Sequence, residues 1–239
     1  MKRFNNRETK QKSFLFPIIA LFSLSLCSVL ALLLVGGEET IYYLSQLNFV
    51  PDEKLVCIDP GHGGTSSGAT NGKRMEKDDN LRLSLLVQDI LEERGYTVVM
   101  TRNDDSDVSL EERCKIANKA RASLFVSIHR NSSTSPDAVG MEMWVHSLNP
   151  TDDNLLAQNI LDNLDVAGIS QNRGIHSGYR DGADLNYYIN RNTKMPSVLA
   201  EIGFISSKAD NKDFDDKLET YARAIADGIE ITLLEMIGQ

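Results

Sequence analysis

Four side chains stand where this sequence could do hydrolytic chemistry: His62, Glu76, His129 and Glu201. His62 lies in Asp59-Pro60-Gly61-His62-Gly63-Gly64, directly after the apolar run Leu55-Val56-Cys57-Ile58. His129 follows the run Leu124 to Ile128, and Glu201 follows Pro196-Ser197-Val198-Leu199-Ala200. Short apolar runs bounded by Gly and Pro read as buried strands. In a parallel sheet their ends share one edge, where α/β proteins hold ligands. Glu76 stands just ahead of a helix that the pattern starts near Lys77. Two histidines, one carboxylate and a water make an open, catalytic type of zinc site, with a second carboxylate outside it as general base. Two neutral imidazoles and one carboxylate leave such a site at about +1, which helps bring the pKa of a bound water toward ~7.

Each of these residues has a plainer role open to it. His146 also ends a strand-like run, and spacing alone does not choose between it and His129. Glu76 could simply complement a helix dipole. His176 sits in a glycine-bearing loop, which suits a surface or groove position. Glu201, after three apolar residues, needs either a catalytic task or an ion-pair partner, because an unpaired buried charge is costly.

The elements that must position these groups alternate. Leu83, Leu86, Val87 and Ile90 give a helical stripe over about Lys77 to Arg94, ended by Gly95. Tyr96 to Met100 is an apolar strand, and Ser109-Leu110-Glu111-Glu112 fits a capping box opening a helix to about Arg121. Over Val139 to Val145, Met141, Met143 and Val145 alternate with Glu142, Trp144 and His146, which predicts a strand exposed on one face. A helix follows from Thr151 or Asp152 to Val166, then a loop over 168–183. Tyr187 to Ile189 reads as a short strand, and a C-terminal helix runs from about Phe214 to Ile237. The expected fold is α/β: one domain with a mostly parallel mixed sheet and helices on both faces.

That domain, residues 54–239, is preceded by other material. Residues 1–12 carry five basic side chains against Glu8, and Phe14 to Val35 is free of charge. At about 1.5 Å per residue that run reaches roughly 33 Å, enough to cross a bilayer. No small-x-small cleavage site follows, and Leu26 before Cys27 is too large for a good lipoprotein signal. Residues 13–36 are therefore expected to be an uncleaved transmembrane signal anchor, with 1–12 a cytoplasmic flank by the positive-inside rule. Residues 37–53 read as a linker. The expected location is a bacterial cell membrane, crossed once, with the catalytic domain on the extracytoplasmic side. The whole chain has a net charge of −9; beyond residue 12, 20 basic residues face 33 acidic ones. So acidic a domain is poorly suited to nucleic acid. Cys57 and Cys114 read as small core residues rather than a disulfide framework.

From Leu55 to about Ile231 the chain resembles the zinc-dependent N-acetylmuramoyl-L-alanine amidases of the amidase-3 family, bacterial wall hydrolases. The matching runs are Ile58 to Gly64, Glu76-Lys77-Asp78 with Asn80-Leu81, Thr101-Arg102 and Ala117-Asn118. They continue through Ser127-Ile128-His129 with Asn131, Gly140 with Glu142, Met195 to Leu199, and Glu201-Ile202-Gly203-Phe204-Ile205-Ser206. The resemblance implies one Zn²⁺ per chain held by His62, Glu76 and His129, with Glu201 as catalytic carboxylate. It implies peptidoglycan as substrate, cut between N-acetylmuramoyl groups and L-alanine, and it favours His129 over His146. The compact, anchored architecture resembles the family's sporulation and germination members. Arg130, Asn131 and Glu142 are candidate substrate-binding residues. Arg130 replaces the small residue usual between the family's His and Asn, and so places a cation beside the metal. Ser207 takes the place of a frequent Asn. Two rival readings remain: a zinc peptidase cutting within the stem peptide, and a catalytically silent peptidoglycan-binding module. Whether an activating lipoprotein partner is needed is left open.

Overall fold

The computed structural model describes residues 37–46, 49–135, 137–180 and 185–238. The signal anchor expected over 13–36 lies outside them. Among the described residues no helix is long and apolar enough to cross a membrane. The chain divides into two units, residues 1–47 and 48–239. In the first, Gly37–Gln46 forms a helix, α1, where a linker was expected. Neighbouring rings of Tyr42 and Tyr43 meet edge to face at 5.4 Å on it.

The second unit is the α/β domain. In chain order it contains β1 (Asp52–Pro60), β2 (Thr70–Asn71), β3 (Arg74–Met75), α2 (Glu76–Glu93), β4 (Thr97–Met100), α3 (Leu110–Ala120) and β5 (Ala122–Asn131). There follow β6 (Met141–Val145), α4 (Thr151–Val166), β7 (Asn172–Ser177), α5 (Tyr188–Asn192), β8 (Ser197–Phe204), α6 (Lys208–Asp216) and α7 (Leu218–Ile237). Six strands form one sheet in the order β4-β1-β5-β8-β6-β7, while β2 and β3 make a small hairpin. β4, β1, β5 and β8 are parallel to one another. β6 joins β8 antiparallel and carries β7 parallel to itself. The sheet is thus mixed and mostly parallel, as the alternation of elements predicts.

Alternate residues along each central strand feed opposite cores. Val56, Ile58, Leu124, Val126, Ile128, Val198 and Ala200 pack with Leu83 and Val87 of α2, Ile160 of α4 and Ile225 of α7. Cys57, Phe125 and Leu199 face the other way, onto Cys114 and Ala117 of α3 and Ile189 of α5. Both cysteines are buried and free. At α3, Ser109 Oγ accepts a hydrogen bond from the Glu112 amide, the capping expected there.

Four local expectations are corrected. β7 runs through the stretch expected to be loop; Asn172-Arg173-Gly174-Ile175-His176-Ser177 is too polar to signal a strand, and it lies at the sheet edge. Tyr187 to Ile189 is not a strand: Tyr188 opens α5. The expected C-terminal helix is two helices, α6 and α7, divided at Lys217. All five residues of β6 are buried, so it has no solvent face. Its polar alternates are covered because Trp144 packs under His176 and Tyr187, and Glu142 lies under Arg173.

Candidate metal centre and active site

The parallel register puts the polar residues in a row. His129 of β5 stands beside Glu201 of β8, and Glu201 stands beside Glu142 of β6. Paired residues on neighbouring strands project to the same face, so an imidazole and two carboxylates line up across the sheet. His129 and Glu201 lie inside their strands rather than just past them, because each ladder continues for a few more residues.

His62 comes from the turn after β1 and Glu76 from the first residue of α2. Together with His129 they offer one ligand atom each, all within 4.8 Å of one another. His62 Nε2 is 3.3 Å and His129 Nδ1 2.9 Å from the same oxygen, Glu76 Oε1. The two imidazole rings meet nearly at right angles, 5.0 Å apart. The other nitrogen of His62 is hydrogen-bonded to Ser66 Oγ at 2.9 Å, an outer contact that fixes the ring and leaves Nε2 facing the cluster. Glu76 Oε2 is held by the Ala69 amide at 2.8 Å. Burial pushes the Glu76 carboxyl up, but hydrogen bonds from His129 and His62 outweigh it and hold it well below the usual carboxylate range. His146, the rival from spacing, is elsewhere in its bonding: its Nδ1 accepts from the Leu148 amide. His176 stacks on Trp144 in the neighbouring wall.

The backbone is shaped for this convergence. A Cβ on Gly61 would lie 2.3–2.7 Å from the His129 ring, and one on Gly68 would lie 2.5 Å from Glu76 Oε2 and 2.6 Å from His62 Cδ2. His62 itself takes a left-handed conformation, φ 61°, uncommon for a side-chain-bearing residue and typical of strained functional turns. Two buried arginines hold the turn. Arg102 donates to the carbonyls of Pro60, Gly61 and Lys77. Arg113 donates to Asp59, to the Pro60 carbonyl and to the His62 carbonyl. Asp59 also accepts from the hydroxyls of Thr101 and Ser127. Burial pushes the Asp59 carboxyl up, yet Arg113 and the two hydroxyls bring it below its ordinary value.

Two nitrogens and one oxygen converging in a cleft are the donor set of an open zinc site. Glu201 supplies the test of fit. It is 7% exposed, and its Oε2 is buried without a hydrogen-bond partner. Burial pushes its carboxyl up to about 7. A carboxylate oxygen left unsatisfied beside the His129 imidazole fits a site built to act on a further group, such as water.

The cleft, of about 560 Å³, is lined by His62, Glu76, His129, Glu201, Asn131 and Arg180, among others. Asn131 Nδ2 donates to Glu142 Oε1, and Asn131 Oδ1 accepts from Arg180 at 2.8 Å. Arg180 also lies 3.4 Å from Glu201 and 3.6 Å from Glu142. Glu142 is buried, and its oxygens are taken by Asn131, Trp144 Nε1 and Arg173. Arg173 and Arg180 are functional candidates that spacing did not reveal, since each is a lone cation in a polar loop-like stretch. The expectation for Arg130 is corrected. The residue borders the cleft, but its guanidinium is fully buried and paired with Asp79 at 2.6 Å rather than standing free in the groove.

Comparison with known proteins agrees with this geometry. Residues 56–231 match the family model described as N-acetylmuramoyl-L-alanine amidase. The probable cell wall amidase LytH of Staphylococcus aureus is 38% identical over 184 residues, covering 74% of this chain and 58% of LytH. The chain thus spans little more than half the length of those relatives. The catalytic domain of CwlV, an N-acetylmuramoyl-L-alanine amidase from Bacillus (Paenibacillus) polymyxa var. colistinus, superposes with a TM-score of 0.68 at 35% identity, covering 75% of this chain and 98% of CwlV. The CwlD amidase of Clostridioides difficile, solved in complex with the GerS lipoprotein, gives 0.69 at 29% identity, with 75% and 98% covered. With the family match spanning nearly all of the α/β domain, this chain belongs to the N-acetylmuramoyl-L-alanine amidase family.

Proposed function

We propose that the chain is a zinc-dependent peptidoglycan amidase, hydrolysing the amide between the lactyl group of N-acetylmuramic acid and L-alanine of the stem peptide. The observation that carries this reading is the convergence of His62, Glu76 and His129 with an unsatisfied Glu201 oxygen in the same cleft. His62, Glu76 and His129 would hold one zinc ion. When bound, zinc supplies a Lewis acid for the scissile carbonyl and acidifies a water.

The remaining work falls to this chain's own groups. Glu201 takes the proton of the attacking water and returns it to the amine of L-alanine as the amide breaks. A carboxyl pushed by burial up to about 7 suits both transfers near neutral pH. Arg180, 3.4 Å from Glu201 Oε1, directs the carboxylate so that Oε2 is the free oxygen. Asn131 and Glu142 orient Arg180 and Arg173 on the groove wall. The charge-free run Phe14 to Val35 behind a basic flank supports a single membrane anchor with the cleft on the outer side. CwlD was solved with a lipoprotein bound, which makes a lipoprotein the partner class to test first.

Product analysis tests the reading. Wild type acting on purified peptidoglycan is expected to free stem peptides with an L-alanine N-terminus, and chelation to stop it. Fragments cut within the peptide would point to a peptidase, and binding without any cleavage to a silent module; either would overturn the proposal.

A further inference from the structure

Among the described residues Arg130 is the largest fully buried side chain, and its guanidinium is engaged by partners inside the domain. Its Nη1 is 2.6 Å from Asp79 Oδ2, Nη2 donates to Asn211 Oδ1 at 2.8 Å, and Nε to the Gly203 carbonyl at 3.3 Å. The guanidinium lies over the Phe214 ring, 4.2 Å from its centroid. The placement of the pair in the chain is telling. Arg130 directly follows the ligand candidate His129, and Asp79 is one helical turn beyond Glu76 on α2. The Arg130 amide also donates to Glu76 Oε1 at 3.2 Å, the oxygen that faces both imidazoles. Charge-assisted bonds between a buried guanidinium and a carboxylate are short and directional, and a well-packed planar fork has little freedom to slide. The end of β5 and the first turn of α2 are therefore pinned to each other beside two of the three donor groups. Asp79 is itself fixed from outside by Arg74 Nε at 2.6 Å, and Arg74 in turn by Asp215.

We propose that Arg130 and Asp79 are a positioning pair for the metal: they set the separation of Glu76 from His129 and so the affinity of the site for zinc. This rests on His62, Glu76 and His129 being the ligands. A lysine at 130 could reach Asp79 as a point charge but would lose the fork to Asn211 and Gly203. A methionine would fill the volume and lose both.

The test is zinc affinity of the full chain, measured by competition with a chromogenic chelator, alongside thermal stability without added metal. Arg130→Met is expected to weaken zinc binding by about 10–100-fold, the range for outer partners of metal ligands. Arg130→Lys should recover part of that loss. Because Arg130→Met leaves the buried Asp79 with Arg74 but without its buried guanidinium partner, the double variant Arg130→Met with Asp79→Asn guards against misfolding; it should fold and still bind zinc more weakly than wild type. Variants that melt earlier yet bind zinc within about twofold of wild type, well short of that range, would overturn the positioning role. The ligand assignment is read separately. Wild type should bind one zinc and His129→Ala should lose it; wild-type binding that survives His129→Ala would sink the assignment itself, whatever the Arg130 variants do.

Discussion

The two sides of the cleft are built differently. On the side formed by the turn after β1, the start of α2 and the end of β5, the polar groups are fixed by buried cations. Arg102, Arg113 and Arg130 are each no more than 4% exposed, and between them they hold the His62 turn, Asp59 and Asp79. On the β6–β7 side the cations are at the surface. Arg173 and Arg180 have side chains 34% and 43% exposed and reach inward to Glu142, Asn131 and Glu201. A metal site gains from ligands that cannot wander, since donor distances vary by only about 0.2 Å. A wall that meets a polymer gains from side chains that can adjust. The rigidity is spent where the tolerance is smallest.

Glu201 stands at the seam between the two sides, so its removal should have the largest effect. Glu201→Gln is expected to cut turnover by about 10²–10⁴-fold while one zinc still binds; equal loss of metal would mean that the residue belongs to the fixed side as a ligand. Next comes the fixed side itself. Arg113→Met leaves Asp59 charged and buried, and should cost about 3–5 kcal/mol in denaturant unfolding. Gly61→Ala puts a methyl group into the His129 ring. It should weaken zinc binding by about tenfold or more, and unchanged affinity would show that the floor yields more than its burial implies.

Acid sharpens the same contrast. Asp59 has a folded pKa below its ordinary value, so its contribution to stability is full above about pH 4, its unfolded value. That contribution is lost as pH falls through the folded value. The melting difference between wild type and Asp59→Asn should therefore narrow between pH 5 and pH 3, and a constant difference would count against the Asp59–Arg113 pair. The smallest effect is expected on the adaptable side. Arg180→Ala should change stability by less than about 1 kcal/mol, as half-exposed ion pairs do, and show itself in the kinetics of cleavage.

Much of the fixed side was legible in the sequence, because its signals are local. Apolar runs broken by Gly and Pro mark β1, and the ends of the runs point to His62, His129 and Glu201. The 3–4 spacing of Leu83, Leu86, Val87 and Ile90 marks α2. Choosing Glu76 over a helix-dipole role, and His129 over His146, took resemblance and then coordinates. The β6–β7 side was poorly legible. β7 has too few apolar residues to stand out, and β6 owes its burial to Trp144, His176 and Tyr187 packing across distant segments. The state of the Arg130 charge was illegible for a related reason: a lone cation beside a ligand reads as a free groove charge until Asp79 and Phe214 are seen around it.

The central claim is that three donor groups from separate segments share one ion. Anomalous diffraction at the zinc edge, from crystals of the zinc-loaded protein, tests it most directly. A single peak about 2.0–2.2 Å from one donor atom each of His62, Glu76 and His129 is the expected result. A peak held by other residues, or no peak in that cleft from protein shown to carry zinc, would contradict it.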